Sequence, residues 1–256
     1  MTLKEKLLNH KATVGSWVSL GHPAIVEIMC KAGFEWVVID LEHSVIDLFT
    51  CENLIRTARL SGTPALVRLT SNDPQQIKRV MDAGASGVIV PMVKTGEDVK
   101  LTIDSVYYPP QGKRGVGLAR AQGYGASFQE YKSSLERQEP VIIVQIEHIE
   151  AVRNISAILS HELVDGFMVG PYDLSGSLGT PGDFENPQYK QAIDEILAMG
   201  KKLKKSSGIH LVEPSVEELG QKIHDGFQFV AYSVDIRMLD RESRKAVQFL
   251  KKDGII

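Results

Sequence analysis

What most constrains this chain is an alternation. Short runs of β-branched and aromatic residues are separated by longer segments with helical spacing. The runs are TVGSWVSL (13–20), WVVID (36–40), PALVRL (64–69), GVIVPM (87–92), VIIVQIE (141–147), GFMVG (166–170), GIHLV (208–212) and FVAYSV (229–234). Amphipathic segments fill 23–32, 48–60, 74–83, 96–105, 148–160, 187–206, 214–224 and 236–250. A strand apolar on both faces must be covered on both, which parallel strands with crossover helices achieve. Eight such units in 256 residues predict one closed (β/α)8 barrel, a single domain over 1–256, whereas open doubly wound sheets stop at fewer strands and carry a Gly-rich turn after the first. No G-x-G-x-x-G follows the first run. The one Gly-rich stretch, GKRGVGLARAQGYG (112–125), neither follows a strand nor opens a helix, so it is weak evidence for phosphate binding. It reads as an ordered loop packed over the barrel or against another subunit.

Composition narrows the function by exclusion. A formal charge of −3, with 43% hydrophobic and 24% charged residues, gives no global attraction to nucleic acid or an anionic membrane, and no long basic block supplies it locally. The lysines at 201–205 read as the solvated face of a helix. The start, MTLKEKLLNHK, mixes charge with leucine and has no apolar core of a secretion signal, and no apolar run reaches the roughly 18 residues of a membrane span. Cys30 and Cys51, without a CxxC or Cys/His spacing, point to free thiols and a cytoplasmic protein. Cys30 falls on an apolar helical pattern and reads as core.

In such a barrel the active site lies at the C-terminal ends of the strands, so the polar residues where each run stops are the candidates. The second run ends in Asp40, Glu42 and His43, and the third in Arg68. The fifth ends in Gln145 and Glu147, the sixth passes through Gly170 to Pro171, Tyr172 and Asp173, and the seventh carries His210. Singly, each has an ordinary structural explanation: an arginine at a strand end forms ion pairs, and an aspartate caps a helix. Their coincidence on one rim, from positions spread over 170 residues, is what singles them out.

Glu147 and Asp173 are hard oxygen donors suited to Mg²⁺ or Mn²⁺, leaving coordination positions for water and substrate. A thiolate zinc site is excluded by composition, and His43 and His210 are a weak case for an imidazole one. A divalent metal chelated by a 2-oxo acid favours its enolate, a guanidinium at Arg68 would hold the developing oxyanion, and a histidine would carry the proton. The competing Schiff-base route needs a strand lysine; the sixth run has none, and Lys94, past the fourth, is the only candidate near the rim.

The motifs IDLEHS, LVRL, IVPMV, YPPQGKRGVG, VQIEHIEAV and VGPYDLSGSLG, in this order and spacing, resemble those of the metal-dependent class II pyruvate aldolases, the HpcH/HpaI family. The resemblance runs from residue 13 to about residue 240. It implies a (β/α)8 barrel of the phosphoenolpyruvate/pyruvate type. The implied activity is reversible cleavage of a 4-hydroxy-2-oxo acid to pyruvate and an aldehyde through a metal-bound pyruvate enolate. It implies a divalent cation (Mg²⁺, Mn²⁺ or Co²⁺) on Glu147 and Asp173, enolate stabilisation by Arg68, and proton transfer by His43. Backbone amides around Gly170 and Tyr172 would hold the pyruvate carboxylate, and Gln145 would contact substrate or a metal-bound water. Asp82 corresponds to an acidic residue that pairs with the histidine across a subunit boundary. Asp40 and Glu42 would fix the loop and orient the His43 ring or a water; which of Asp40, Glu42 and Asp82 touches the imidazole stays open.

Two positions depart from the family. His210 stands where better-known members carry an apolar residue. Tyr172 stands where alanine is frequent, and either narrows the acceptor pocket or points outward. Hexamers, as trimers of dimers with the last helix exchanged, are also implied, although an unswapped eighth helix would show the same pattern as DIRMLDRESRKAVQFLKK. The alternatives are a CoA-ester lyase of the related citrate-lyase-like group, or a non-catalytic barrel that binds 2-oxo acids.

Overall fold

Eight parallel strands hydrogen-bond in sequence order and close, β8 pairing with β1. The computed structural model describes residues 1–255. The elements run α1 (Leu3–Leu8), β1 (Thr13–Val18), α2 (Pro23–Ala32), β2 (Trp36–Asp40), α3 (Leu48–Leu60), β3 (Ala65–Arg68), α4 (Pro74–Asp82), β4 (Gly87–Val90), α5 (Gly96–Val106) and α6 (Phe128–Glu136). They continue with β5 (Val141–Ile146), α7 (Ile149–Arg153), α8 (Ile155–Leu159), β6 (Gly166–Val169), α9 (Pro171–Ser177), α10 (Pro187–Lys202), β7 (Ser206–Leu211), α11 (Val216–His224), β8 (Phe229–Val234) and α12 (Asp235–Lys252). The expected (β/α)8 barrel is therefore what forms.

Two layers of apolar side chains account for the runs that lack alternation. One face of each strand packs against the helices, as Val37, Ile39, Val67, Val88, Ile142 and Val144 do with Ile55, Ile77 and Ile158. The other face fills the barrel with Trp17, Trp36, Val38, Leu66, Ile89, Ile143, Met168 and Phe229. Trp36 stacks on Phe229 with centroids 3.9 Å apart. Gly15 is required opposite them, because a methyl there would fall 2.1 Å from the Trp36 ring; overpacking of that kind costs about 1–3 kcal/mol or more.

The N-terminal segment, outside the amphipathic segments named above, forms α1 and closes the bottom of the barrel. Leu3 and Leu7 join the interior cluster, and Lys4 Nζ pairs with the buried Asp165 at 2.7 Å. The lysine cluster divides. Lys201, Lys202 and Lys204 are exposed as expected, but Lys205 is partly buried and donates to the carbonyls of His161 and Val164 at 2.8 and 2.7 Å. The expected helix over 148–160 breaks into α7 and α8 at Asn154, whose side chain donates to Lys94 O at 2.9 Å. The Gly-rich stretch ends in a 3-10 turn over Arg120–Gly125 and is anchored by the buried Arg114, whose guanidinium lies 4.4 Å over the Tyr108 ring. Val116, Leu118 and Tyr124 of this stretch remain exposed.

Candidate active site

Alternation along the strands aims the polar residues inward. In β2, Trp36 and Val38 face the interior, so Asp40 follows them. In β3, Leu66 leads to Arg68, and in β5, Val141 and Ile143 lead to Gln145. Asp40 and Arg68 are register partners on adjacent strands. Their side chains meet in a bidentate pair, Nε to Oδ1 at 2.8 Å and Nη2 to Oδ2 at 2.6 Å. Asp40 Oδ1 also accepts the main-chain N–H groups of Glu42 at 3.0 Å and His43 at 3.3 Å. One buried carboxylate thus fixes both the guanidinium and the loop that carries the histidine.

Arg68 is held on two further sides. Its Nη1 lies 3.2 Å from Glu42 Oε2, and its Cζ sits 4.3 Å over the Trp17 ring. Trp17 stands in the site although the polar strand ends do not point to it. Its one legible signal is the position two residues before the start of the loop after β1, on the inward parity. Burial pushes the Glu42 carboxyl above its usual range; Arg68 and His43 oppose this, and the charges of Asp40 and Asp173 add to it.

The His43 imidazole is largely open, with 69% of its side chain exposed, and its Nε2 is 3.9 Å from Glu42 Oε2. Glu42 is the carboxylate nearest the ring within the chain. Asp40 acts on the backbone of the loop instead, and Asp82 is elsewhere, at the end of α4. Burial raises the Asp82 carboxyl, with Arg114 and Gln122 opposing, and its Oδ1 is buried without a partner. The sequence expectation for Asp82 concerns a subunit boundary; within one chain it does not meet His43.

Glu147 is buried just past β5. Its Oε1 accepts the Met92 N–H at 2.6 Å and its Oε2 the Gln145 amide at 3.0 Å. Burial pushes its carboxyl up to about 7, Met92 opposes, and the nearby negative charges of Glu42 and Asp173 raise it further. Gly170 makes room for it: a Cβ there would fall 2.5 Å from Glu147 Oε2. The Gly170 amide, expected to hold a carboxylate, is instead committed to Ile146 O at 3.2 Å, because the strand ladder runs on one residue past β6. The Tyr172 N–H, in the first turn of α9, makes no hydrogen bond among the described residues. The Tyr172 side chain takes the outward alternative: it is 64% exposed and meets Phe184 edge-on at 5.2 Å.

His210 lies at the end of β7 against Trp17, with ring centroids 5.1 Å apart. Its Nε2 is 3.1 Å from Ser233 O. Burial, with Arg68 adding, lowers its pKa to about 4, against the Ser233 bond. This has a sign for stability. The unfolded imidazole titrates near 6.5 and the folded one lower, so the stabilisation is intact above about pH 6.5 and is lost as pH falls toward about 4. At full extent the loss is about 3 kcal/mol by linkage. Urea denaturation between pH 7.5 and 4 is expected to show the wild type losing stability relative to His210→Gln; parallel profiles would contradict the assignment.

The donor set can be tested against a divalent cation. Among the described residues, no three His, Cys, Asp or Glu side chains converge into a preformed cage. What is present is a buried carboxylate under repulsion from Glu42 and Asp173, beside a Gln145 Oε1 that is buried without a partner. Hard oxygen donors with uncompensated negative charge and an orphan acceptor fit Mg²⁺, Mn²⁺ or Co²⁺, with water and substrate completing the coordination. Among the described residues, Lys94 Nζ makes no hydrogen bond or ion pair with these groups, and only the Lys94 main chain is engaged, by Asp98 and Asn154.

The comparisons with known proteins bear on the whole chain. A pyruvate aldolase of Rhizobium etli is 36% identical over 241 residues, covering 94% of this chain and 93% of its own. A 5-keto-4-deoxy-D-glucarate aldolase of Klebsiella pneumoniae is 33% identical over 249 residues, with 97% and 96% covered. The crystal structure of a HpcH/HpaI aldolase/citrate lyase family protein from Burkholderia cenocepacia superimposes with a TM-score of 0.90 at 30% identity, covering 97% of this chain and 98% of that one. The family model described as HpcH/HpaI aldolase/citrate lyase matches residues 13–241, and with these relatives along its full length the chain belongs to the HpcH/HpaI aldolase family.

Proposed function

We propose that this aldolase is metal-dependent and reversibly cleaves a 4-hydroxy-2-oxo acid to pyruvate and an aldehyde. The observation that carries the reading is the meeting in one barrel mouth of the charge-strained Glu147 and an Arg68 clamped by Asp40. A divalent cation held by Glu147 and Asp173 would supply Lewis-acid polarisation of the 2-oxo group. Arg68, pre-oriented by Asp40 and Trp17, holds the negative charge that develops on the substrate oxygen. His43 takes the proton of the C4 hydroxyl, directly or through water. The C3–C4 bond breaks with its electron pair passing toward the 2-oxo oxygen, and the proton returns to C3 as pyruvate forms. Glu42, between Arg68 and His43, orients the imidazole. The Tyr172 N–H is the amide free to receive the pyruvate carboxylate, and Gln145 meets the substrate or a cation-bound water.

The relatives named pyruvate aldolase and 5-keto-4-deoxy-D-glucarate aldolase support a 2-oxo acid product. We read the assembly as a homohexamer in which α12 is exchanged, supported by the exposure of Ile236, Leu239, Val247 and Phe249 on that helix. Free Cys30 and Cys51 support a cytoplasmic setting.

Pyruvate release from racemic 4-hydroxy-2-oxo acids, coupled to lactate dehydrogenase, is expected to require added Mg²⁺, Mn²⁺ or Co²⁺ and to stop with EDTA. Release indifferent to EDTA would overturn the metal route and redirect attention to Lys94.

A further inference from the structure

The charged groups of the mouth occupy the arc from β2 to the end of β6. The remaining arc, β7 through β8 to β1, presents Trp17, His210 and Ser233. Asp235, at the end of this arc, is committed: its carboxylate accepts Ser19 N at 2.9 Å, Leu20 N at 2.7 Å and Ser19 Oγ at 2.6 Å. A substrate whose oxo-acid end lies by Glu147 and Arg68 would reach His210 with its other end by passing over the buried Trp17, which touches both Arg68 and His210.

The chemistry of that imidazole is fixed by its neighbours. A carbonyl oxygen only accepts, so the 3.1 Å contact makes Nε2 the donor to Ser233 O. Ser233 is itself immobilised, with φ of 54° and its Oγ donating to Val212 O at 2.8 Å. The lone pair consequently sits on Nδ1. Among the described residues that nitrogen has no hydrogen-bond partner, and unlike Trp17 Nε1 it is not sealed from solvent. Trp17 touches both groups, the His210 ring at 5.1 Å and the Arg68 guanidinium at 4.3 Å from its own centroid. His210 thus offers a neutral acceptor on the β7 side of the mouth. An alkyl chain leaves that acceptor desolvated and unpaired; a hydroxyl satisfies it.

We propose that His210 selects the aldehyde half of the reaction, its Nδ1 accepting a hydrogen bond from a hydroxyl of the acceptor, so that the enzyme prefers hydroxylated aldehydes over alkyl ones. The proposal rests on the aldolase reading above and names the substrate class that reading leaves open.

The test compares kcat/KM for pyruvate release from 4,5-dihydroxy-2-oxopentanoate and from 4-hydroxy-2-oxopentanoate, whose aldehyde products are glycolaldehyde and acetaldehyde. The wild type is expected to favour the dihydroxy substrate about tenfold or more. His210→Leu and His210→Phe remove both the donor to Ser233 O and the Nδ1 acceptor, and in each the ratio falls toward one; His210→Gln, whose amide keeps a donor for Ser233 O and brings an acceptor oxygen of its own, retains part of the preference. A second readout needs no turnover: the ¹⁵N signal of His210 Nδ1 moves on adding glycolaldehyde and not on adding acetaldehyde. An unchanged ratio in His210→Leu and His210→Phe, or no preference in the wild type, overturns the role of His210 while leaving the aldolase standing. Silence of the wild type with both substrates overturns the aldolase reading and the inference with it.

Discussion

Glu147→Gln is expected to reduce metal-dependent pyruvate release on the order of a thousandfold or more, the scale of losing a Lewis acid worth several kcal/mol. The substitution is nearly isosteric, and the Met92 N–H can still donate to the side-chain oxygen that replaces Oε1. What disappears is the charge, together with the bond from Gln145 Nε2 to Oε2, which a turn of the Gln145 amide replaces by offering its Oε1 to the new NH2. Because burial and the neighbouring carboxylates push Glu147 up to about 7, the metal-free protein gains from a protonated Glu147 below its ordinary titration range. It loses that gain as pH rises through about 7. Metal-free Glu147→Gln lacks this loss, so above pH 7 it is expected to be at least as stable as the wild type. Loss of turnover together with unchanged or raised stability separates a metal ligand from a structural residue, and isothermal titration with Mn²⁺ should show weakened binding. A variant that binds Mn²⁺ normally and turns over would remove Glu147 from the metal site. Asp173→Asn should lose turnover similarly but without the stability gain, since Asp173 is exposed at the start of α9.

How much of this was legible in the sequence depends on the range of the signal. The eight strands were, because each run is local and apolar on both faces. The inward set Asp40, Arg68, Gln145 and His210 was also accessible, because period-two alternation carries a side chain's direction to the strand end. The partner of Arg68 was not. Which of the two acidic residues at the end of the second run clamps it follows from the Asp40–Arg68 register, a relation between strands that neither sequence contains. Trp17 was hidden for the same reason: a tryptophan on an inward position reads as core until an arginine is found on its face.

Other positions were misread because burial overrides local pattern. Lys205 follows a run of solvated lysines, yet its Nζ serves carbonyls at the β5–β6 side of the barrel bottom. The short α1, too polar to stand out, is held by Leu3, Leu7 and one ion pair formed across the fold. Gly170 illustrates a role of the opposite kind. Its amide belongs to the ladder, and its contribution is the missing side chain that lets Glu147 in.

Arg68→Lys is expected to lower kcat/KM by about two to three orders of magnitude, the loss typical of removing one preorganised oxyanion donor, although the net charge is unchanged. Four contacts depend on the planar fork: Nε and Nη2 on the two oxygens of Asp40, Nη1 on Glu42, and the flat face on Trp17. An ammonium is a compact point charge and cannot reproduce a bidentate pair and a stacked plane together. In Arg68→Lys the buried Asp40 loses part of its compensation, and the Glu42–His43 loop that hangs on Asp40 Oδ1 loosens with it. Because the charge on the 2-oxo oxygen grows along the reaction, the interaction is strongest in the transition state, so the fall should appear in kcat more than in KM. Arg68→Ala should lose at least as much and recover in part with added guanidinium, which can occupy the slot between Asp40 and Trp17; methylammonium should not restore it. If Arg68→Lys kept more than about a tenth of wild-type kcat, the positive charge alone would suffice, and the clamp formed by Asp40 and Trp17 would be a matter of stability instead of catalysis.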